Sequence, residues 1–195
     1  HTFKIPESEL SYLSSAQIVS LLGALAVSKN PHALMVTRVA LSTGGRWGET
    51  EGLTISQVRD CKILFARTKT DRNRSVPVSP ELEAEILAHH AAHGNGDRIF
   101  SYAEGAFKEA IQRAGIELPD GQMTHVLRHT FASHFVMKGG NILTLQRLLG
   151  HRDLKTTMRY AHFSPDHLLE AVRLNPLAKP IPGEVQGADS DPAAR

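Results

Sequence analysis

The stretch THVLRHTFASHFVMKGGNILTLQRLLGHRDLKTTMRYA, residues 124–161, decides how this chain is read. Its first part spaces apolar residues at helical intervals and stops at Gly139-Gly140, which predicts a helix over 124–137. A second helix, over 141–149, ends at Gly150, a residue suited to the left-handed turn that closes helices. A third, short helix is predicted over 153–161 and carries Tyr160. On the first helix His125 and Arg128 stand three residues apart and share a face. A guanidinium beside an imidazole suits a phosphate, because arginine grips two oxygens as a fork and histidine passes a proton. His151 falls just past the end of the second helix, and Tyr160 follows nine residues later.

Upstream, Ser14-Ser15 offers a cap for a helix over 15–28. Pro31 stands where proline opens helices well, and the helix it begins should stop at Gly44-Gly45. RWGETEGL then reads as a short helical piece. ILFA (63–66) and SVPV (75–78) are β-type runs separated by the polar TKTDRN. Ser79-Pro80 starts a helix that ends at Gly94, and 103–114 forms another closed by Gly115. A last short helix is predicted over 165–174. From about Pro176 the sequence is rich in Pro, Gly, Ala and Asp, and a disordered tail is expected. The fold class is mainly α with one small antiparallel β-sheet, an α+β arrangement that carries no function alone.

The 195 residues suit one domain with a tail, and a 41% hydrophobic fraction supports a core without staples. The single cysteine, Cys61, excludes an intrachain disulfide and fits a reducing compartment. No run approaches the ~18 apolar residues of a membrane helix. Net charge is only +2, but its distribution is uneven. Residues 61–80 carry five bases against one acid, and 121–160 six against one. Between them, 81–120 hold eight acids and three bases. If the fold joins the two basic blocks, they make a face for a polyanion; otherwise they are solvated surface.

Three further positions attract attention. Arg46 follows two glycines, with Glu49 three residues on, where it could orient the guanidinium or form an ordinary surface pair. Lys69 stands where a strand meets a turn, a place where lysines are normally just solvated. His129 lies four residues after His125, a spacing that also suits a metal pair. The zinc-protease pattern, however, requires Glu after the first histidine, and Val126 stands there. His129 and His134 are read as structural or supporting residues. Tyr160 alone reads as a half-buried packing residue.

The joint pattern is specific. R-W-G-E, K-T, H-x-L-R-H-T-F-A, L-L-G-H and M-R-Y-A-H, in this order, resemble the boxes of tyrosine recombinases, and most closely those of temperate-phage integrases. The resemblance runs from about residue 10 to about 177, and it implies the integrase catalytic-domain fold over 1–177 with a tail over 178–195. It further implies a site-specific recombinase that cleaves and rejoins DNA through a 3′-phosphotyrosyl bond, as in prophage integration and excision. Tyr160 matches the nucleophile, Arg46 and Arg128 the phosphate clamp, and His125 the position proposed to handle the tyrosine proton. Lys69 matches the acid for the 5′-oxygen, His151 a phosphate hydrogen-bond donor, and Glu49 a supporting residue. No cofactor and no metal are implied.

The resemblance extends to partners. These are double-stranded DNA attachment sites, a homotetramer in the synaptic complex from a monomer without DNA, and accessory DNA-bending proteins. The expected setting is the cytoplasm of a bacterial host, at the nucleoid. Two departures stand out. Gly45 occupies a position where larger apolar residues are frequent, which is expected to loosen the turn. The family's N-terminal DNA-binding domains are absent from these residues, so weak DNA binding is expected. The segment after Tyr160 offers Leu168, Leu169, Val172 and Leu174 as an apolar stripe, for a neighbouring protomer or for its own domain. Two other readings compete: a catalytically silent DNA-binding integrase relative, and a metal hydrolase drawing on His125, His129 and His151.

Overall fold

Ser14 starts the first helix as its sequence suggests. The Ser14 hydroxyl accepts from the Gln17 amide at 3.2 Å, and the Gln17 side chain accepts from the Ser14 amide at 2.9 Å. Two donors of the first turn, otherwise without helical partners, are thereby satisfied. This is α1 (Ser15–Ala26) in a computed structural model that describes residues 11–66, 73–165 and 170–177. Helix α2 (Ala33–Thr43) begins two residues after Pro31 rather than at it. Asn30 sets that start, because its side-chain oxygen accepts from the amides of His32 (2.9 Å) and Ala33 (3.1 Å). The short α3 (Trp47–Glu51) follows.

The sheet has three strands, β1 (Val58–Arg59), β2 (Lys62–Phe65) and β3 (Arg74–Pro77), in the order β1-β2-β3 and antiparallel throughout. Ile63 pairs with both Val58 and Val76, so the apolar side chains of all three strands face one way, into the core. Strand β1 is too short for its pattern to register in the sequence. Lys69 lies outside the described residues. Helix α4 (Pro80–His93) begins at Pro80 as expected, with the Ser79 hydroxyl capping the Leu82 amide at 3.2 Å.

Helices α5 (Glu104–Arg113), α6 (His125–Met137) and α7 (Ile142–Leu149) follow the sequence pattern closely. The main core lies where α1, α2, α5 and the start of α6 meet the sheet, around Leu21, Val36, Ile63, Phe65, Phe107 and Leu127. A second cluster joins the end of α6 to α7: Ala132, Val136, Leu145 and Leu149 are buried with Tyr160. Helix α8 (Leu154–Met158) is shorter than predicted. Tyr160 therefore stands just past a helix rather than on one, in a turn that opens a 3-10 segment over Ala161–Phe163.

The chain falls into two compact units, His1–Ser164 and Pro165–Arg195. The described part of the second holds α9 (Glu170–Leu174), and the Asn175 side-chain amide donates to the carbonyls of Ala171 and Val172. Leu168, Leu169 and the tail over 178–195 lie outside the described residues. Among the described residues, no helix is long and apolar enough to cross a membrane.

Gly44 is the position where the backbone matters most. It closes α2 at φ +69°, and a Cβ there would stand 2.5 Å from Phe131 and 2.7 Å from Leu149. Left-handed strain and overpacking add, so Gly44→Ala is expected to destabilise the fold by about 2–4 kcal/mol. Gly23 sits inside α1 with open space at its Cβ, and Gly23→Ala is expected to stabilise by about 0.5–1 kcal/mol. Urea midpoints measured side by side check the pair; equal effects of both changes would contradict the steric account.

A candidate phosphate site around Arg128 and Tyr160

Arg128 projects from the first turns of α6 into the interior, where it is 4% exposed. Its two terminal nitrogens donate to the Gly44 carbonyl at 2.9 Å and the Leu149 carbonyl at 2.8 Å. Both carbonyls end a helix, and the negative pole of a helix terminus favours a cation. Burial, with Arg46 and Arg74 nearby, lowers the Arg128 pKa to about 9, with Glu49 opposing the shift. The group therefore remains a cation at neutral pH, held where it cannot reorient.

Arg46 leaves the end of α2 through Gly44-Gly45, whose second glycine has no room for a side chain. A Cβ on Gly45 would lie 2.7 Å from the Thr50 hydroxyl and 3.0 Å from the Phe65 ring. The expected loosening does not occur, because Gly45 permits close packing of this turn on Thr50 and Phe65. Glu49 accepts from the Arg46 amide at 3.0 Å and so caps α3. One of its oxygens also lies 3.8 Å from an Arg46 guanidinium nitrogen. Its principal partner is Arg74, through two hydrogen bonds of 3.2 and 2.7 Å. Glu49 thus braces Arg46 through its backbone amide and an ion pair, while its forked hydrogen bonds go to Arg74.

The sequence reading missed Arg74, which was visible only as one base in a basic block. It is 6% exposed and lies over the Phe65 ring at 4.6 Å. The two basic blocks do converge, since β3, which bears Arg74, packs on α7. The Glu49 carboxyl is held below its ordinary range: burial pushes it up, but hydrogen bonds and charge from Arg74 and the Arg46 amide outweigh that.

His151 follows Gly150, which ends α7 at φ +74°. Its Nδ1 shares a hydrogen bond of 2.8 Å with Thr157, a fully buried residue of α8. Burial first, then Arg128, Arg46, Arg74 and Arg159, lowers its pKa to about 3. It is neutral and in the electrostatic reach of the same arginines. Tyr160 is 1% exposed, and its hydroxyl lies 2.7 Å from Nδ1 of His129. Burial raises its pKa, opposed by Arg128, Arg159 and Arg46. His125 is exposed and lines a cavity of about 580 Å³ with Arg46, Trp47, Glu49, Gln57 and Thr124. Arg46, Arg128, His151 and Tyr160 therefore share one electrostatic neighbourhood, with His125 on the Arg46 side.

His134 is structural as expected, since its Nε2 donates to the Leu13 carbonyl at 2.7 Å. His129 is not merely supporting, because it touches the Tyr160 hydroxyl itself. The only sequence signal for this was its spacing from His125. The metal-hydrolase reading loses its ligand set: His129 engages Tyr160, His151 engages Thr157, and no group that could hold a metal occurs among the described residues.

Residues 11–167 match the phage integrase family. The chain belongs to that family. It is 52% identical over 175 residues to the integrase of Escherichia phage 186, which covers 90% of the chain and 51% of that protein. With the integrase of Haemophilus phage HP1 it shares 50% identity over 178 residues, covering 91% of the chain and 51% of the relative. The solved catalytic domain of bacteriophage HP1 integrase superposes with a TM-score of 0.80 at 50% identity, covering 87% of this chain and 97% of that one. The chain thus spans about half the length of the curated relatives it matches, and nearly the whole of that solved domain.

The buried histidines of this integrase-family chain make its stability pH-dependent. In the unfolded chain a histidine takes up its proton near 6.5, but in the fold His151 does so at about 3 and His129 and His89 at about 4. The unfolded state binds more protons between these values, so this contribution is complete above about pH 6.5 and is lost as pH falls toward 4. Urea midpoints should therefore drop steadily from pH 7 to 4.5, and less steeply in His151→Gln. A flat profile in the parent would refute this.

Proposed function

We propose that this chain is the catalytic domain of a site-specific recombinase, which breaks and rejoins DNA through a phosphotyrosine formed on Tyr160. The observation that carries the reading is a buried phenol within the field of a rigidly held Arg128, on a chain belonging to the phage integrase family.

The charges suit the chemistry. Among the described groups acting on Arg128, Arg46 and Arg74 with Arg128 itself against Glu49 sum to +2, and Arg159 adds positive charge beside Tyr160 and His151. A phosphodiester carries one negative charge and gains a second in its phosphorane-like transition state. Fixed positive charge of that size stabilises the transition state more than the ground state. In this reading Arg46 and Arg128 grip the non-bridging oxygens. Arg74 holds Glu49, which holds the backbone of Arg46. Neutral His151, braced by Thr157, donates a hydrogen bond to the phosphate. The resemblance gives the tyrosine proton to His125, but His125 lines the open cavity while the Tyr160 hydroxyl lies against His129. Lys69 protonates the departing 5′-oxygen. Ionising a phenol of pKa near 10 at pH 7 costs about 4 kcal/mol, a deficit that positive charge and a proton acceptor together meet. The phosphotyrosine stores the bond energy, so rejoining needs no nucleotide cofactor, and the arginines take the place of a metal.

The partner in this reading is double-stranded DNA at an attachment site, in the cytoplasm of a bacterial host. Two DNA duplexes are joined by four copies of the chain, with DNA-bending proteins assisting. A catalytically silent DNA-binding relative remains the competing reading, and a nicked suicide substrate separates the two.

With that substrate, the chain is expected to form a covalent protein–DNA adduct that Tyr160→Phe abolishes and that persists in chelator without added nucleotide. Lysine cannot reach both the Gly44 and Leu149 carbonyls as a fork. Arg128→Lys is therefore expected to slow adduct formation by about 10²–10³-fold. An adduct surviving in Tyr160→Phe would remove Tyr160 from the role.

A further inference from the structure

The Tyr160 hydroxyl has a defined partner, and it is not the histidine to which the family pattern draws attention. Tyr160 is fixed by its ring, which lies in the cluster of Ala132, Val136, Leu145 and Leu149. Only the hydroxyl end reaches His129, at 2.7 Å from Nδ1, with ring centroids 6.0 Å apart. Both the ring and the hydroxyl are thus located by α6, and His129 is the neighbour in sequence of Arg128, whose guanidinium is pinned to Gly44 and Leu149. The phenol oxygen and one clamp arginine are consequently held by adjacent residues of one helix. His125, one turn earlier, has its ring centroid 6.5 Å from that of His129 and lines the cavity instead.

We propose that His129 positions the Tyr160 hydroxyl by accepting its hydrogen bond at Nδ1, and takes the phenolic proton when the tyrosine attacks phosphorus. This rests on the recombinase reading above. In the forward step the O–H bond of Tyr160 breaks and its proton passes to Nδ1. The phenolic oxygen then supplies the electron pair of the new P–O bond, and the P–O5′ bond breaks, its oxygen leaving with a proton from the acid of that reading. In the rejoining step the 5′-hydroxyl attacks phosphorus and gives its proton back to that same acid, the P–O bond to Tyr160 breaks, and His129 returns the proton to the phenol. No proton is lost to solvent over the cycle.

The surroundings suit a group that takes a proton only briefly. Burial, then Arg159, His125 and Arg128, lowers the His129 pKa to about 4, so the ring is neutral before reaction and can accept. The same burial and the neighbouring arginines make the imidazolium a strong acid, which favours return of the proton. His129 therefore links the two half-reactions, and its neutral form must be the tautomer with hydrogen on Nε2.

Two measurements test this. Nitrogen chemical shifts of the histidine rings, recorded without DNA, are expected to show His129 as the Nε2–H tautomer, with an Nδ1 signal that moves to the free value in Tyr160→Phe. An Nδ1 that carries hydrogen, or that ignores the Tyr160 change, overturns the hydrogen bond whatever the enzyme does. The second measurement is the single-turnover rate of adduct formation on the nicked substrate from pH 6 to 9, for the parent, His129→Asn and His129→Phe. Asn places an acceptor oxygen near the position of Nδ1 but cannot take up a proton at these pH values. His129→Asn is expected to lose about 10²–10⁴-fold at neutral pH and to recover close to tenfold per pH unit, because the phenol must then ionise to solvent. His129→Phe should be slower still. A rate lowered equally at every pH in both variants would leave His129 a packing residue and refute the proton transfer. Absence of any adduct from the parent would instead sink the recombinase reading and the proton transfer with it, leaving the nitrogen shifts to judge the hydrogen bond alone.

Discussion

The site depends on one buried guanidinium. Arg128 joins the end of α2 to the end of α7 through two carbonyls, and those segments lie 84 and 21 residues away in sequence. A desolvated arginine is tolerated because two of its donors are met by carbonyls and the helix ends supply negative potential. Arg46 is delivered next to it by the same turn that offers the Gly44 carbonyl. His151 is delivered by the same helix end that offers the Leu149 carbonyl. Three of the residues assigned to phosphate binding are therefore located by the hydrogen bonds of one of them.

Around that centre the charge is arranged by burial rather than by number. The whole chain carries only +2, yet three arginines converge where a single carboxylate, Glu49, partly offsets them. Glu49 holds Arg74 by its oxygens and Arg46 by its backbone. The result is a positive site with an internal frame, in which one guanidinium, that of Arg46, faces the cavity.

Most helices were legible because their ends are marked by residues with local mechanisms: Ser14, Ser79 and Asn141 as caps, Gly44 and Gly150 as left-handed stops. The start of α2 was misplaced because Asn30 outcompetes Pro31 for it, and β1 was missed because two residues carry no periodicity. The family boxes also marked Arg46, Arg128, His151 and Tyr160, which the fold brings into one electrostatic neighbourhood. Arg74, Thr157 and the contact of His129 with Tyr160 were not, because each depends on which segments meet in space. Gly45 was misjudged for the same reason: the Thr50 hydroxyl and Phe65 ring that exclude a side chain there come from other parts of the fold.

In the proposed reaction Tyr160 belongs to two structures at once, since the ring that bears the attacking oxygen is also a wall of the α6–α7 cluster. Under that proposal a DNA strand attached to the oxygen would be tied directly to the hydrophobic interior, with no flexible tether between them. Tension or torque on the strand during exchange would thus be borne by the packing of Leu145 and Leu149, and cavity-forming changes there would weaken the grip on a broken end before they weakened the chemistry that made it.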